Sequence, residues 1–138
     1  PFKKIKNTTV ITIHNQVLKN YFSPQTTIFR KKVLNKVGFF NDKMRYAEEG
    51  YFFNRMVYFY KCVVINEVVT IPITQKRRWG DSGLSGNLIE MEKGELFNIT
   101  NAYKSQFIST GFFILAISLS LIKFIRRICL SEIHKNKF

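Results

Sequence analysis

Tyr46-Ala47-Glu48-Glu49-Gly50-Tyr51-Phe52-Phe53-Asn54-Arg55 is the stretch on which the fold of this chain turns. Phe52, Met56 and Phe59 share one helical face, with Phe53, Val57 and Tyr60 beside them, so residues 47–61 read as an amphipathic helix. Glu48 and Glu49 fall in its first turn, where the helix macrodipole favours negative charge. Acidic first turns are common, and that electrostatic role alone would account for the pair. Arg55 lies seven residues after Glu48, on the same face two turns on, too far along for a direct i,i+4 ion pair.

On the N-terminal side, Asn41-Asp42 is turn chemistry. Val33, Leu34 and Val37 recur at helical spacing, and Gly38 stands where a helix C-cap belongs. Thr26-Thr27-Ile28-Phe29-Arg30 reads as a buried strand that follows the Ser23-Pro24 turn. Val10-Ile11-Thr12-Ile13 is short and β-branched, either a strand or the tail of a loop. On the C-terminal side, Cys62-Val63-Val64-Ile65 and Val68-Val69-Thr70-Ile71 read as strands joined by Asn66-Glu67, with Pro72 limiting the second or placing it at an edge. A basic, glycine-rich loop follows, Lys76-Arg77-Arg78-Trp79-Gly80-Asp81-Ser82-Gly83-Leu84-Ser85-Gly86. Residues 88–96 resume a helical pattern, with Leu88, Met91 and Leu96 on one side and Glu90, Glu92 and Glu95 on the other.

The length, 138 residues, is that of one ordinary domain. Fourteen Phe and six Tyr make an aromatic core available. Net charge is +13, which favours an anionic partner: a phosphate-bearing substrate, a nucleic acid or an anionic membrane surface. Recognisable nucleic-acid motifs are absent, so no nucleic-acid partner is expected. Cys62 and Cys129 match no metal or redox spacing, and as two unpaired buried thiols they fit a reducing compartment. His14 and His134 are too far apart to suggest a metal site.

Residues 107–122 carry no charge over 16 positions, and Lys123, Arg126 and Arg127 follow at once. A full membrane span needs about 20 apolar residues. Ser109, Thr110, Ser118 and Ser120 weaken this one, so a span or re-entrant insertion, an interfacial helix and a core helix all stay open. In either membrane case the basic flank belongs on the cytoplasmic side.

Moving a sugar from a nucleotide-diphosphate donor to a hydroxyl needs a carboxylate to take the hydroxyl proton. It also needs positive charge on the departing diphosphate. Glu48 or Glu49 can supply the first, and Lys76, Arg77 and Arg78 part of the second. Backbone amides around Gly80 and Gly83 can add donors, because glycine permits close approach to phosphate. No Ser-His-Asp arrangement accompanies Ser82 or Ser85, which disfavours a serine hydrolase; turn and cap chemistry explains both. Trp79 serves equally well as an anchor of the loop to the core or as a sugar-stacking ring.

The order Phe29-Arg30, Val37-Gly38-Phe39-Phe40-Asn41-Asp42, then Arg45 through Arg55, resembles the second half of family 2 glycosyltransferases. That family shows a strand ending in Phe-Arg, a helix, a Gly-x-Phe-Asp-Glu-like turn and an acidic pair, with an arginine six positions after its second member. Glu49 stands here in the place of an Asp, and Arg55 keeps the interval. Arg78-Trp79-Gly80-Asp81-Ser82-Gly83-Leu84-Ser85-Gly86-Asn87 and Met91-Glu92-Lys93-Gly94-Glu95-Leu96 are similar to a subgroup acting on cell-surface polysaccharide or lipopolysaccharide. Gln75-Lys76-Arg77-Arg78-Trp79 also fits the Gln-x-x-Arg-Trp of processive synthases, but those carry several spans and this chain at most one. The likeness covers roughly residues 24–127.

The resemblance implies an α/β chain forming an incomplete GT-A (Rossmann-like) domain with a C-terminal apolar helix. It implies a nucleotide-diphosphate sugar donor, a sugar or lipid-linked acceptor, and a divalent metal, Mg or Mn. It makes Glu49 the catalytic base, with Glu48 beside it, Arg55 in support, and Lys76, Arg77, Arg78, Trp79 and Ser85 at the diphosphate and acceptor. The family's Asp-x-Asp metal motif is absent here, where Asp42 and Asp81 are the only aspartates, so no metal ligand set is expected in this chain. The expected organisation is a segment 1–23 continuing from a missing nucleotide-binding half, an acceptor-side part 24–100, a membrane-associated apolar helix with basic flank 101–130, and a polar tail 131–138. The expected place is the cytoplasmic face of the cell membrane. The alternative is a non-catalytic, basic, membrane-associated binding module.

Overall fold

A computed structural model describes residues 8–71 and 86–135, with side chains through residue 132. The chain is mixed α/β, with much more helix than strand. Strand β1 (Thr8–Ile11) pairs antiparallel with β2 (Cys62–Ile65), placing Ile11 opposite Cys62 and Thr8 opposite Ile65. Between them lie α1 (Ile13–Leu18), a 3₁₀ turn (Lys31–Val33) running into α2 (Leu34–Val37), and α3 (Glu48–Phe59). Helices α4 (Leu88–Lys104) and α5 (Thr110–Lys135) follow.

Local chemistry sets the ends of these elements. The Thr12 hydroxyl accepts from the Asn15 backbone N–H at 3.3 Å, and the Asn15 side chain accepts from the Thr12 N–H at 3.2 Å, a reciprocal cap for α1. Gly38 ends α2 with φ 77°, the left-handed side that its lack of a Cβ permits. At the end of α4, the Gln106 N–H donates to Tyr103 O and the Phe107 N–H to Ala102 O, both at 2.9 Å. This is a Schellman closure with Gln106 at φ 59° where glycine is usual, and it turns the chain straight into α5.

Two apolar clusters hold the fold. The first joins Ile11, Val33, Val37, Phe52, Phe53, Met56, Val57 and Cys62. Its aromatic centre is Phe52, stacked on Phe40 at 4.2 Å between ring centroids and tilted against Phe29 at 5.5 Å. The second, formed by Ile99, Ala102, Ile108 and Ala116 with Ile13 and Val17 against it, packs α1 onto the α4–α5 hairpin. Ile11 and Ile13 thus tie residues before Ser23 into the same core as the rest.

Several sequence expectations change. Residues 26–30 form no strand: Thr26 lies in a turn, and Ile28, expected to be buried, is fully exposed; residues 68–71 form none either, and Val68, Val69 and Ile71 are exposed. β-Branched composition makes a strand only where a neighbouring edge supplies hydrogen bonds, and among the described residues β2 pairs with β1 alone. The free side of β2 opens on an apolar groove of about 1040 Å³ lined by Phe29, Val33, Met56, Val64 and Val68. The last helix runs to Lys135, so the chain stays helical well past the apolar run. Among the described residues no helix is long and apolar enough to cross a membrane, which removes the span from the alternatives for residues 107–122. Cys62 is buried as expected, but Cys129 is exposed, because it lies on the face of α5 turned away from α4.

Candidate functional site

The backbone just before the acidic pair is bent in an uncommon way. Ala47, the residue that opens α3, has φ 55° and ψ 25°, the left-handed region that L-residues other than Gly, Asn and Asp seldom enter. Holding an alanine there costs about 1–2 kcal/mol, so the surroundings must impose it. They come from α4. The Asn98 side-chain amide donates to Ala47 O at 2.8 Å. Gly94 brings the α4 backbone so close that a Cβ on it would stand 2.7 Å from Tyr46 O and 3.0 Å from Ala47 Cβ. Gly50 of the Glu-Glu-Gly run has a matching reason: a Cβ there would meet Asn98 Nδ2 at 2.7 Å.

This brace presents Glu48 and Glu49 as the first two residues of α3, both half-buried. Burial pushes the Glu49 carboxyl above its ordinary range. Its own backbone N–H pulls the other way, while the neighbouring Glu48 carboxyl and Glu95 of α4 push it further up. A carboxylate with a raised pKa is a better proton acceptor than a free one.

Arg55 makes no bond to the acidic pair. Its Nη2 donates to Phe39 O at 2.8 Å, and its guanidinium lies over the Tyr51 ring at 4.1 Å from the centroid. Arg55 therefore ties the Gly-Phe-Phe-Asn-Asp turn to the acidic helix, one and a half turns after Glu49. The structure brings together three segments singled out in the sequence: the turn, residues 46–55, and residues 91–96.

Behind the pair lies an ionic cluster on the side of α4 that helical spacing placed opposite Leu88, Met91 and Leu96. Glu92 is 3% exposed. It takes Arg127 Nη2 at 2.7 Å and the Ser120 hydroxyl at 2.8 Å, while Arg127 Nη1 reaches Glu95 at 2.9 Å. Two corrections follow. Glu92 faces α5 rather than water, because α5 supplies its countercharge. Arg127 belongs to that inner contact rather than to a basic membrane flank. Burial raises the Glu92 carboxyl, against the pull of Ser120 and Arg127 in the other direction. Gly94, Glu95, Asn98 and Ala47 were missed as site residues. Only Gly94, a glycine inside a helical pattern, carries a sequence signal.

Lys76, Arg77, Arg78, Trp79 and Ser85 lie outside the described residues, and the apolar groove beside β2 has neither Glu48 nor Glu49 in its lining. Among the described residues no group of three or more His, Cys, Asp or Glu could hold a metal ion. Comparison with protein-family models, with curated proteins and with solved structures gives no match.

Proposed function

We propose that this chain supplies the acceptor side of a glycosyltransferase site of the GT-A type, with Glu49 as the base. The acceptor is a hydroxyl of a growing surface polysaccharide or glycolipid, and the donor is a nucleotide-diphosphate sugar. The hydroxyl oxygen forms a bond to the anomeric carbon as its proton passes to Glu49. The bond from that carbon to the diphosphate breaks, and the nucleoside diphosphate leaves with the electron pair. Lys76, Arg77 and Arg78 would meet its charge, with Trp79 and Ser85 toward the acceptor. The divalent metal of this reading, Mg or Mn, would take its ligands from elsewhere.

The observation that carries the proposal is the imposed left-handed backbone at Ala47. An acidic helix start that served only the macrodipole would need no such bend, whereas a strained residue held by Asn98 and Gly94 fixes where two carboxylates point. Among the described residues β2 pairs with β1 alone and its other side faces an apolar groove, which supports a larger sheet of which the two strands are part. The rival is a basic membrane-associated binding module without catalysis, favoured by the charge of +13.

The two separate on Glu49→Gln, assayed for transfer from a panel of uridine and guanosine diphosphate sugars. The expected result is lost transfer with an unchanged circular dichroism spectrum. Turnover equal to wild type removes Glu49 from the mechanism. A folded wild type that transfers from none of the donors leaves the binding module standing.

A further inference from the structure

We infer that the outer face of α5 lies in the plane of an anionic phospholipid bilayer, on its surface rather than through it. Helix α5 has 26 residues, about 39 Å at the helical rise. Ile114, Leu115, Leu121, Ile122, Ile125 and Ile128 are all exposed and fall within about 140° of one another around the helix at 3.6 residues per turn, a broad stripe over four turns that also holds Ser118. Ile114, Ile122 and Ile125 are each 60% exposed or more, which is far beyond what isolated surface aliphatics need explaining for. The opposite face carries Ala116, Ser120 and Arg127, which meet α4. α5 is thus two-faced: one side is bolted to the domain and the other is aliphatic.

Charge decides the occupant. No Asp or Glu occurs between Glu95 and Glu132, whereas Lys104, Lys123, Arg126 and Arg127 do. Arg127 is spent on the ion pairs with α4 and the Lys123 ammonium donates to Leu18 O on the inner side, but Arg126 is exposed beside the stripe. An aliphatic stripe flanked by Arg126, on a chain of net charge +13, matches acyl chains beneath anionic headgroups. That places the chain on a leaflet rich in anionic lipid, as the cytoplasmic one is. The in-plane orientation follows from the inner face. Crossing the bilayer would require pulling Arg127 away from Glu92 and Glu95 and carrying Glu92, now 3% exposed, out of its pair. This inference does not rest on sugar transfer, and its test contains no donor.

Cys129 supplies the probe, since it is exposed at the C-terminal end of the stripe while Cys62 is buried. A polarity-sensitive fluorophore on Cys129 should shift to the blue with vesicles of phosphatidylcholine containing phosphatidylglycerol, and less with phosphatidylcholine alone. Co-sedimentation should weaken by about tenfold or more for the Ile122→Ser/Ile125→Ser double variant. Arg126→Gln should weaken binding by about fivefold, on anionic vesicles only. An unshifted label on anionic vesicles overturns the inference. So does a blue shift that depends on protein concentration without lipid, which would assign the face to a second copy of the chain. A folded double variant that sediments like wild type overturns it as well. Should the double variant fail to fold, the label on the otherwise unaltered chain decides.

Discussion

Gly94→Ala puts the brace behind the acidic pair to a direct test. In an exposed helix interior this change stabilises by about 1 kcal/mol, because alanine loses less backbone freedom on folding. At Gly94 the added carbon would sit 2.7 Å from Tyr46 O, 3.0 Å from Ala47 Cβ and 3.2 Å from the Tyr46 carbonyl carbon. Two of those three atoms are backbone, so no side-chain rotation relieves the contact, and α4 must withdraw by several tenths of an ångström. Overpacking of this kind costs about 1–3 kcal/mol. Withdrawal also stretches the 2.8 Å bond from Asn98 to Ala47 O, a bond worth about 1 kcal/mol. Set against the propensity gain, the net loss is about 1–3 kcal/mol, or roughly 3–12 °C in thermal midpoint for a domain of this size. Thermal unfolding followed by circular dichroism reads it. Gly111→Ala is the control: it lies in α5 with nothing within 4 Å of its added carbon, so its midpoint should rise or stay level. A Gly94→Ala midpoint at or above wild type would refute the close approach of α4 to Tyr46, and with it the account of why Ala47 is bent.

Two further outcomes follow from the charges. Burial raises the folded pKa of Glu49 above its ordinary value, so its ionised form opposes folding. That penalty is absent below about pH 4.5 and grows as pH rises through the folded value; Glu49→Gln should therefore raise the unfolding midpoint near neutral pH and change little near pH 4. Equal effects at both pH values would contradict the burial of that carboxyl. Arg127→Met leaves Glu92, 3% exposed, without its countercharge. Unpairing a fully buried ion costs about 3–5 kcal/mol, and because the Arg127 side chain is 17% exposed the expected loss is nearer the lower figure. Adding Glu92→Met should restore most of it, since the pair is then removed as a whole; urea midpoints of the single and double variants decide, and an unaltered single variant would show the pair to be idle.

The parts of the fold legible in the sequence are those decided by neighbours in sequence. Helix α3 follows from the spacing of Phe52, Met56 and Phe59, and the end of α2 from Gly38. β2 appears where Cys62-Val63-Val64-Ile65 placed it. Residues 26–30 and 68–71 have the same β-branched character and form no strand, because a strand is decided by its partner and not by its own residues alone. Glu92 was illegible for a similar reason. On a helical wheel it reads as solvated, and its partner Arg127 lies 35 residues later on another helix. In the site, the carboxylates were legible as residue types in a first turn. The left-handed turn that aims them was not, because alanine gives no signal of such a conformation; the cause sits in Asn98 and Gly94, about fifty positions on.

One mechanical line joins the features that sequence reading kept apart. The acidic pair is held by α4 through Asn98 and Gly94, and α4 is held by α5 through Glu92, Glu95 and Arg127. Glu95 belongs to both joints: it accepts from Arg127 and adds to the negative surroundings that raise Glu49. The opposite face of α5 is the aliphatic stripe. If that stripe rests on lipid, the acidic pair stands at a height above the bilayer fixed by two packed helices rather than by a flexible tether. Such an arrangement suits an acceptor hydroxyl carried on a lipid, whose distance from the headgroups is also fixed. A soluble acceptor would gain nothing from it, since it reaches the site from any direction. On the proposed reading of Glu49 as the base, that fixed height suits a lipid-linked acceptor rather than a free sugar.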